Sequence, residues 1–167
     1  MKKSVFIIPL FFTALLEPGQ AQAPAQQQHD DIPVVALIGE YESSFEQLAR
    51  ENPGILLEEC GNDMDIAYEK WMDMLVAMED YAESIGFDIN GLKTYFYIFW
   101  NADGSFRHLA FYPKPNSRNI PTEELVAFFK SFAHEFRLPL KASEGYSHYG
   151  SASFPTHSRP EYRAKRD

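Results

Sequence analysis

Five histidines punctuate the chain: His29, His108, His134, His148 and His157. Imidazoles act as general bases and as metal ligands, so their spacing comes first. None stands in a His-x-His pair or an HExxH helix motif, and none lies beside the lone cysteine, Cys60. Only His108 and His148 fall on segments that read as strands. If those strands pair, the two rings approach each other, and Asp103 or Glu144 could complete a metal or acid–base set. Separate surface or edge histidines account for the same residues, and the spacing implies no cofactor. Gly145-Tyr146-Ser147-His148-Tyr149-Gly150 comes within one residue of a GxSxG nucleophile elbow, with Tyr149 in place of the second glycine. Such an elbow also needs a strand-to-helix turn to raise its serine. This stretch reads as a closing strand, which argues against Ser147 as a nucleophile. The chain has no glycine-rich phosphate loop and no CxxC, and we assign no catalytic residue.

The densest polar cluster is Lys114, Asn116, Ser117, Arg118 and Asn119, just before a helix start. Two cations and the amides of a helix start could hold an anionic group. Read structurally, the asparagines and serine satisfy loop amides while Arg118 pairs with an acidic neighbour. Carboxylates four apart, Asp65/Glu69 and Glu69/Asp73, read as the solvated face of a helix. General acid–base work would need one of them in a partly dry pocket.

The elements that position these groups follow from hydrophobic periodicity. Met64, Tyr68, Trp71, Leu75, Met78, Ala82 and Ile85 recur at 4-3-4-3-4-3 spacing and predict a helix over 63–85, widened by Met72 and Val76. Asn62 or Asp63 can cap its start and Gly86 its end. A methionine stripe of this kind (Met64, Met72, Met74, Met78) reads as core before it reads as a partner groove or a soft-metal site. The segments 92–100 and 105–112 alternate as strands around Asn101-Ala102-Asp103-Gly104, a hairpin signature. In the first strand Leu92, Thr94, Phe96, Ile98 and Trp100 share one face, and Lys93, Tyr95, Tyr97 and Phe99 share the other. Both faces are apolar, so the strand is central or its second face, Tyr95, Tyr97 and Phe99, is a binding surface. The prolines of the 113–120 loop stiffen the exit from the sheet. Leu125, Phe129, Phe132 and Phe136 then mark a second helix opening at Thr122, which Leu138-Pro139 closes. The segment 146–154 reads as a last strand. Upstream, 43–50 is helix-like with Phe45, Leu48 and Ala49 on one side, and 34–38 is either a first strand or an extended arm.

The expected class is therefore α+β: a small antiparallel sheet of about three strands with two main helices packed on one face, in helix-strand-strand-helix-strand order. The last strand should pair with one edge of the hairpin, and the other edge stays open unless 34–38 covers it.

Met1-Lys2-Lys3, the apolar run 5–16 and the small residues of 19–23 have the three-part plan of a secretory signal peptide. The run is too short to span a bilayer. We expect 1–23 to be a signal peptide, 24–31 a polar linker, 32–155 a single α+β domain and 156–167 a flexible basic tail. Export puts the protein in the periplasm or outside the cell, with no stable membrane insertion after cleavage. One cysteine forbids an intramolecular disulfide, leaving Cys60 buried or in a mixed disulfide. The chain carries 24 Asp+Glu against 15 Lys+Arg, a net of −9. Residues 30–90 hold 16 Asp/Glu against Arg50 and Lys70, a net of −14, whereas 91–167 hold 11 Lys/Arg against 7 Asp/Glu, a net of +4. A net-acidic chain with no dense basic stripe is a poor ligand for nucleic acid.

The Asn101–Gly104 turn, the 125–136 helix stripe, Leu138-Pro139 and the 147–154 strand together make 63–155 resemble the C-terminal domain of the energy-transducing protein TonB. The resemblance is one of layout over roughly half the chain. The sequence lacks that family's uncleaved anchor and long proline-rich spacer, and its 63–85 helix is long and acidic for the family. The resemblance implies a stand-alone exported relative with the shape and another job. The resulting expectation is a non-enzymatic interaction domain with a cell-envelope protein as partner, working by strand addition at an open sheet edge or through the Tyr95-Tyr97-Phe99 face. The alternative is an anion binder or hydrolase built from the 114–119 loop and a strand histidine.

Overall fold

The computed structural model describes residues 32–156. The expected signal peptide, the linker and all but the first residue of the expected tail lie outside the described residues. The elements run β1 (Val35–Leu37), α1 (Glu42–Glu51), α2 (Leu56–Glu59), α3 (Met64–Ser84), β2 (Lys93–Trp100), β3 (Phe106–Pro113), α4 (Thr122–Glu135) and β4 (Tyr146–Ser153). They form an α+β domain on a four-stranded sheet of order β1-β3-β2-β4.

The sheet departs from the expected three antiparallel strands in one respect. β1 adds a short fourth strand parallel to β3, Val35 opposite Leu109 and Leu37 opposite Phe111, so the sheet is mixed and 34–38 covers the hairpin's outer edge. β2 is central, antiparallel to β3 on one side and to β4 on the other. That position explains why its sequence is apolar on both faces.

Strand parity assigns the faces. Phe96, Ile98 and Trp100 of β2 lie with Leu109 and Phe111 of β3 in the main core, under α3 and α4. Phe129 of α4 wedges edge-on between Phe96 and Phe111, at ring distances of 5.4 and 4.8 Å. On the opposite face α1 lays Phe45 and Leu48 over Ala36, Phe99 and Ala110. The two main helices thus share one face as expected, and α1 is a third helix on the other.

α3 begins where Asp63 accepts hydrogen bonds from the amides of Asp65 and Ile66 at 2.9 and 3.1 Å, covering donors that a helix start leaves open. Trp71, Leu75, Met78 and Ala82 are buried, whereas the ends of the stripe, Met64, Tyr68 and Ile85, are exposed. Met72, Met74 and Met78 are core, and Met64 is not.

The segment after α4 folds back over the hairpin turn. Leu138 N–H donates to Gly104 O at 2.8 Å and Ala142 N–H to Ala102 O at 3.0 Å. Gly104 has φ +80°, and a Cβ there would overlap the Leu138 carbonyl oxygen and stand 3.1 Å from that of Leu140. This close crossing delivers the chain to the start of β4. Beyond β4, the buried Glu79 carboxylate of α3 accepts from the backbone N–H of Thr156 and from its hydroxyl, the latter at 3.1 Å. Thr156 is therefore part of the packed domain, one residue beyond the expected boundary.

Candidate functional site

The two strand histidines do not meet. β3 and β4 flank β2 instead of pairing with each other. His108 stands opposite Phe99 and so faces α1, whereas His148 stands opposite Ile98 and faces α3. His108 lies 3.1 Å from the Pro33 carbonyl through Nδ1 and meets Phe45 edge-on. His148 packs on Trp71, ring centres 4.6 Å apart. Burial lowers the pKa of both, because the charged imidazolium loses hydration. Asp103 is taken up by its own turn, accepting from the Ser105 amide at 3.0 Å and hydroxyl at 2.6 Å, and these bonds hold its carboxyl below the usual range. Among the described residues, no group of three or more His, Cys, Asp or Glu could hold a metal ion. Ser147 lies within β4, its amide donating to Gly54 O at 2.9 Å, and among the described residues no helix follows it to make an elbow.

The 114–119 loop ties elements together. Arg118 Nη1 donates to the Asp88 carboxylate at 2.5 Å and to the carbonyls of Asp88 and Asn90 at 3.3 and 3.2 Å. The Asn90 backbone N–H, then Arg118, depress the pKa of Asp88. Ser117 Oγ accepts from the Lys93 amide at 2.9 Å and donates to Arg118 O at 3.1 Å. Lys114 turns to the sheet, its Nζ 4.6 Å above the Tyr95 ring, and Asn116 is exposed. The two cations point to different partners, so the loop does not converge on an anion.

The aromatic face is divided by α1. Phe99 is 1% exposed and stacks on Phe45 at 5.8 Å, so it belongs to the core and is withdrawn from the surface face. Tyr97 is half-buried and Tyr95 exposed. The row continues onto β4, where sequence reasoning placed no member of this face. Tyr149, directly opposite Tyr97, is 60% exposed and lies parallel to Tyr95 at 6.2 Å, 12° between ring planes. Across the other ladder, exposed Tyr112 stands opposite Tyr95. The missed signal was register: once β4 pairs with β2, Tyr149 must share a face with Tyr95 and Tyr97.

Tyr149 also marks the edge of the sheet. Ser147 N–H bonds outward to Gly54 O and Phe154 N–H inward to Leu92 O. Alternation along the unbulged β4 therefore turns the amides and carbonyls of Tyr149, Ser151 and Ser153 outward. Ile55 forms a single parallel rung at Ser147. Beyond it, no hydrogen bond engages the outward backbone groups of Tyr149 and Ser151 among the described residues. Beside this edge lies an apolar groove of about 570 Å³, walled by Ile55 and Leu57 of the α2 segment and Met64, Tyr68 and Trp71 of α3, and wrapping the edge of β4 from His148 to Ser147, Tyr149 and Tyr97 on the other face. Gly150 makes room for the groove's floor, since a Cβ there would stand 2.9 Å from Trp71 Cζ2. Met64 and Tyr68 are 66% and 52% exposed, which leaves their apolar surface facing the groove instead of the core. They are the N-terminal members of the stripe read as core. Ser147 and His148 both line the groove, but they point to opposite faces of β4, and no hydrogen bond joins their side chains among the described residues.

Comparison of the chain with family models, with curated proteins and with solved structures finds no match in any of the three.

Proposed function

We propose that this protein is an exported, non-enzymatic interaction domain that takes an extended segment of an envelope protein as an added strand along β4. The observation carrying this reading is the outer edge of β4. Edge strands are ordinarily blunted by charges, proline, bulges or a covering element, because unpaired amides recruit other chains. β4 (YSHYGSAS) contains no Lys, Asp, Glu, Arg or Pro and no bulge, and past Ser147 nothing described covers it. An apolar groove runs beside it, as strand addition requires: main-chain bonds for affinity and side-chain pockets for choice. In layout we read the chain as a stand-alone relative of the TonB C-terminal domain. The α3-β2-β3-α4-β4 order supports this, with β1 and α1 as additions.

The test is a photo-crosslinking side chain at Ser153, introduced into the protein in its own cells. A discrete crosslinked protein, lost when Ser151 is replaced by Pro in a still-folded variant, is the expected result. Pro removes only an outward amide there and is tolerated at strand edges. A crosslink pattern unchanged by Ser151→Pro, or absent altogether, overturns the reading.

A further inference from the structure

We infer that the segment received along β4 is cationic and amphipathic, with apolar side chains at alternate positions and Lys or Arg between them. The inference rests on the strand-addition reading and specifies its partner's chemistry. A strand paired to β4 places successive side chains on opposite sides of the sheet. One set enters the side of the groove bounded by Ile55, Leu57, Met64, Tyr68 and Trp71, which is apolar. The other set lies over the tyrosine row, where Tyr149 is the outermost ring and, with Tyr97, lines the groove from the opposite face.

Two observations give the second set its charge. The fold already shows how this row receives a cation: Lys114 Nζ sits 4.6 Å above the Tyr95 ring, and Tyr149 presents a parallel ring one strand further out. A cation over a tyrosine face is held by the ring quadrupole. The segment that supplies the apolar wall also carries net negative charge. Residues 55–71 carry Glu58, Glu59, Asp63, Asp65 and Glu69 against Lys70 alone, five acids minus one base for a net of −4. Lys70 is itself 3.7 Å from Asp73. Such a field steers cationic segments in and keeps acidic ones out.

The test uses two capped, fluorescein-labelled peptides, Leu-Lys-Leu-Lys-Leu-Lys-Leu and its Glu counterpart, titrated with purified protein and with two variants, Ser151→Pro and Tyr149→Ala, by fluorescence anisotropy. Tyr149→Ala leaves the edge intact and guards against a proline variant that fails to fold. The expected result is binding of the Lys peptide at least about tenfold tighter than the Glu peptide. That preference should shrink in about 1 M salt, where the Debye length falls to about 3 Å. Affinity should drop in both variants. Equal binding of the two peptides, lost in Ser151→Pro, overturns the cationic assignment while leaving strand addition standing. Lys-peptide binding that neither variant weakens overturns the placement at β4, and absence of binding to either peptide overturns the inference. The crosslinking experiment at Ser153, which uses no peptide, decides strand addition separately.

Discussion

Replacing Gly104 by alanine should be among the most damaging single-methyl additions in the molecule, and Gly86 supplies its control. Both glycines have positive φ, +80° and +69°. An alanine in that region costs about 1–2 kcal/mol through contact of Cβ with its own backbone. At Gly86 nothing else lies within 4 Å of the added carbon, so the cost ends there. At Gly104 the added carbon would overlap the Leu138 carbonyl, which is backbone and has no rotamer to turn to. Relief requires lifting the crossing segment, at about 1–3 kcal/mol for overpacking. It also endangers the 2.8 Å bond from Leu138 N–H to Gly104 O, worth about 1 kcal/mol. The total is about 3–6 kcal/mol for Gly104→Ala against about 1–2 for Gly86→Ala. With about 4 °C per kcal/mol for a domain of this size, the melting temperatures should fall by about 12–24 °C and about 4–8 °C. Thermal unfolding followed by near-ultraviolet circular dichroism measures both. If Gly104→Ala is no worse than Gly86→Ala, the 137–142 segment does not cross the hairpin turn as described, and the argument for how β4 is launched fails with it.

Tyr146→Phe should raise stability by about 1 kcal/mol, read as a higher urea midpoint at unchanged slope, because the buried Tyr146 hydroxyl has no hydrogen-bond partner among the described residues and burial pushes its pKa up. A clear destabilisation would mean the hydroxyl is bonded. Stability should also fall as the solution is acidified from neutrality. The folded-state pKa values of His108 and His148 lie below the unfolded value of about 6.5, so the unfolded chain takes up protons first. Their contribution is full above about pH 6.5 and declines as pH falls from there toward the folded values. The depressed carboxyls of Asp88 and Asp103 act in the same direction only nearer pH 4 and below. Urea midpoints that stay flat between about pH 7 and pH 5 would contradict the burial of the two imidazoles. Cys60 is buried and its thiol pKa is raised by desolvation, so a thiol-reactive disulfide reagent should label it slowly in the native protein and rapidly in urea. Rapid native labelling would restore the mixed-disulfide reading.

Local chemistry made much of the fold legible. The 4-3 spacing of the α3 stripe, the Asp-Gly turn and the alternation of β2 and β3 each depend on neighbours in sequence, and their bounds fall within a residue or two of those expected. What the sequence did not disclose is long-range. Residues 34–38 carry no mark that makes β1 parallel to β3 instead of leaving it as an arm. Phe99 and Tyr95 are the same kind of residue on the same face of one strand. Only α1, more than forty residues upstream, decides that Phe99 is covered and Tyr95 is not. Likewise Met64 and Tyr68 satisfy the core periodicity of α3, but the helix runs past the sheet edge at that end, so the periodicity continues while its partner surface stops. For the two loop cations the sequence left an anion site and an acidic partner for Arg118 both open, and spacing could not show that the partner is Asp88.

The two edges of the sheet argue most directly for a partner. Both begin as the same problem, a row of unpaired amides beside aromatic side chains. On the β3 side the chain spends β1 covering it, with Val35, Ala36 and Leu37 opposite Leu109, Ala110 and Phe111. On the β4 side it covers one rung, at Ser147, and stops. The uncovered remainder is unbulged and without Lys, Arg, Asp or Glu, and it is bordered by an apolar groove whose Trp71 packs against the space that Gly150 leaves by omitting a side chain. Stability alone does not account for this arrangement, because Met64, Tyr68 and Tyr149 would contribute more if buried than they do in water. Exposed apolar surface of this extent beside an unprotected edge is an aggregation hazard unless something occupies it. The net charge of −4 over residues 55–71 limits that hazard between copies, since two such edges repel each other, and under the proposed function the same charge would favour a cationic strand.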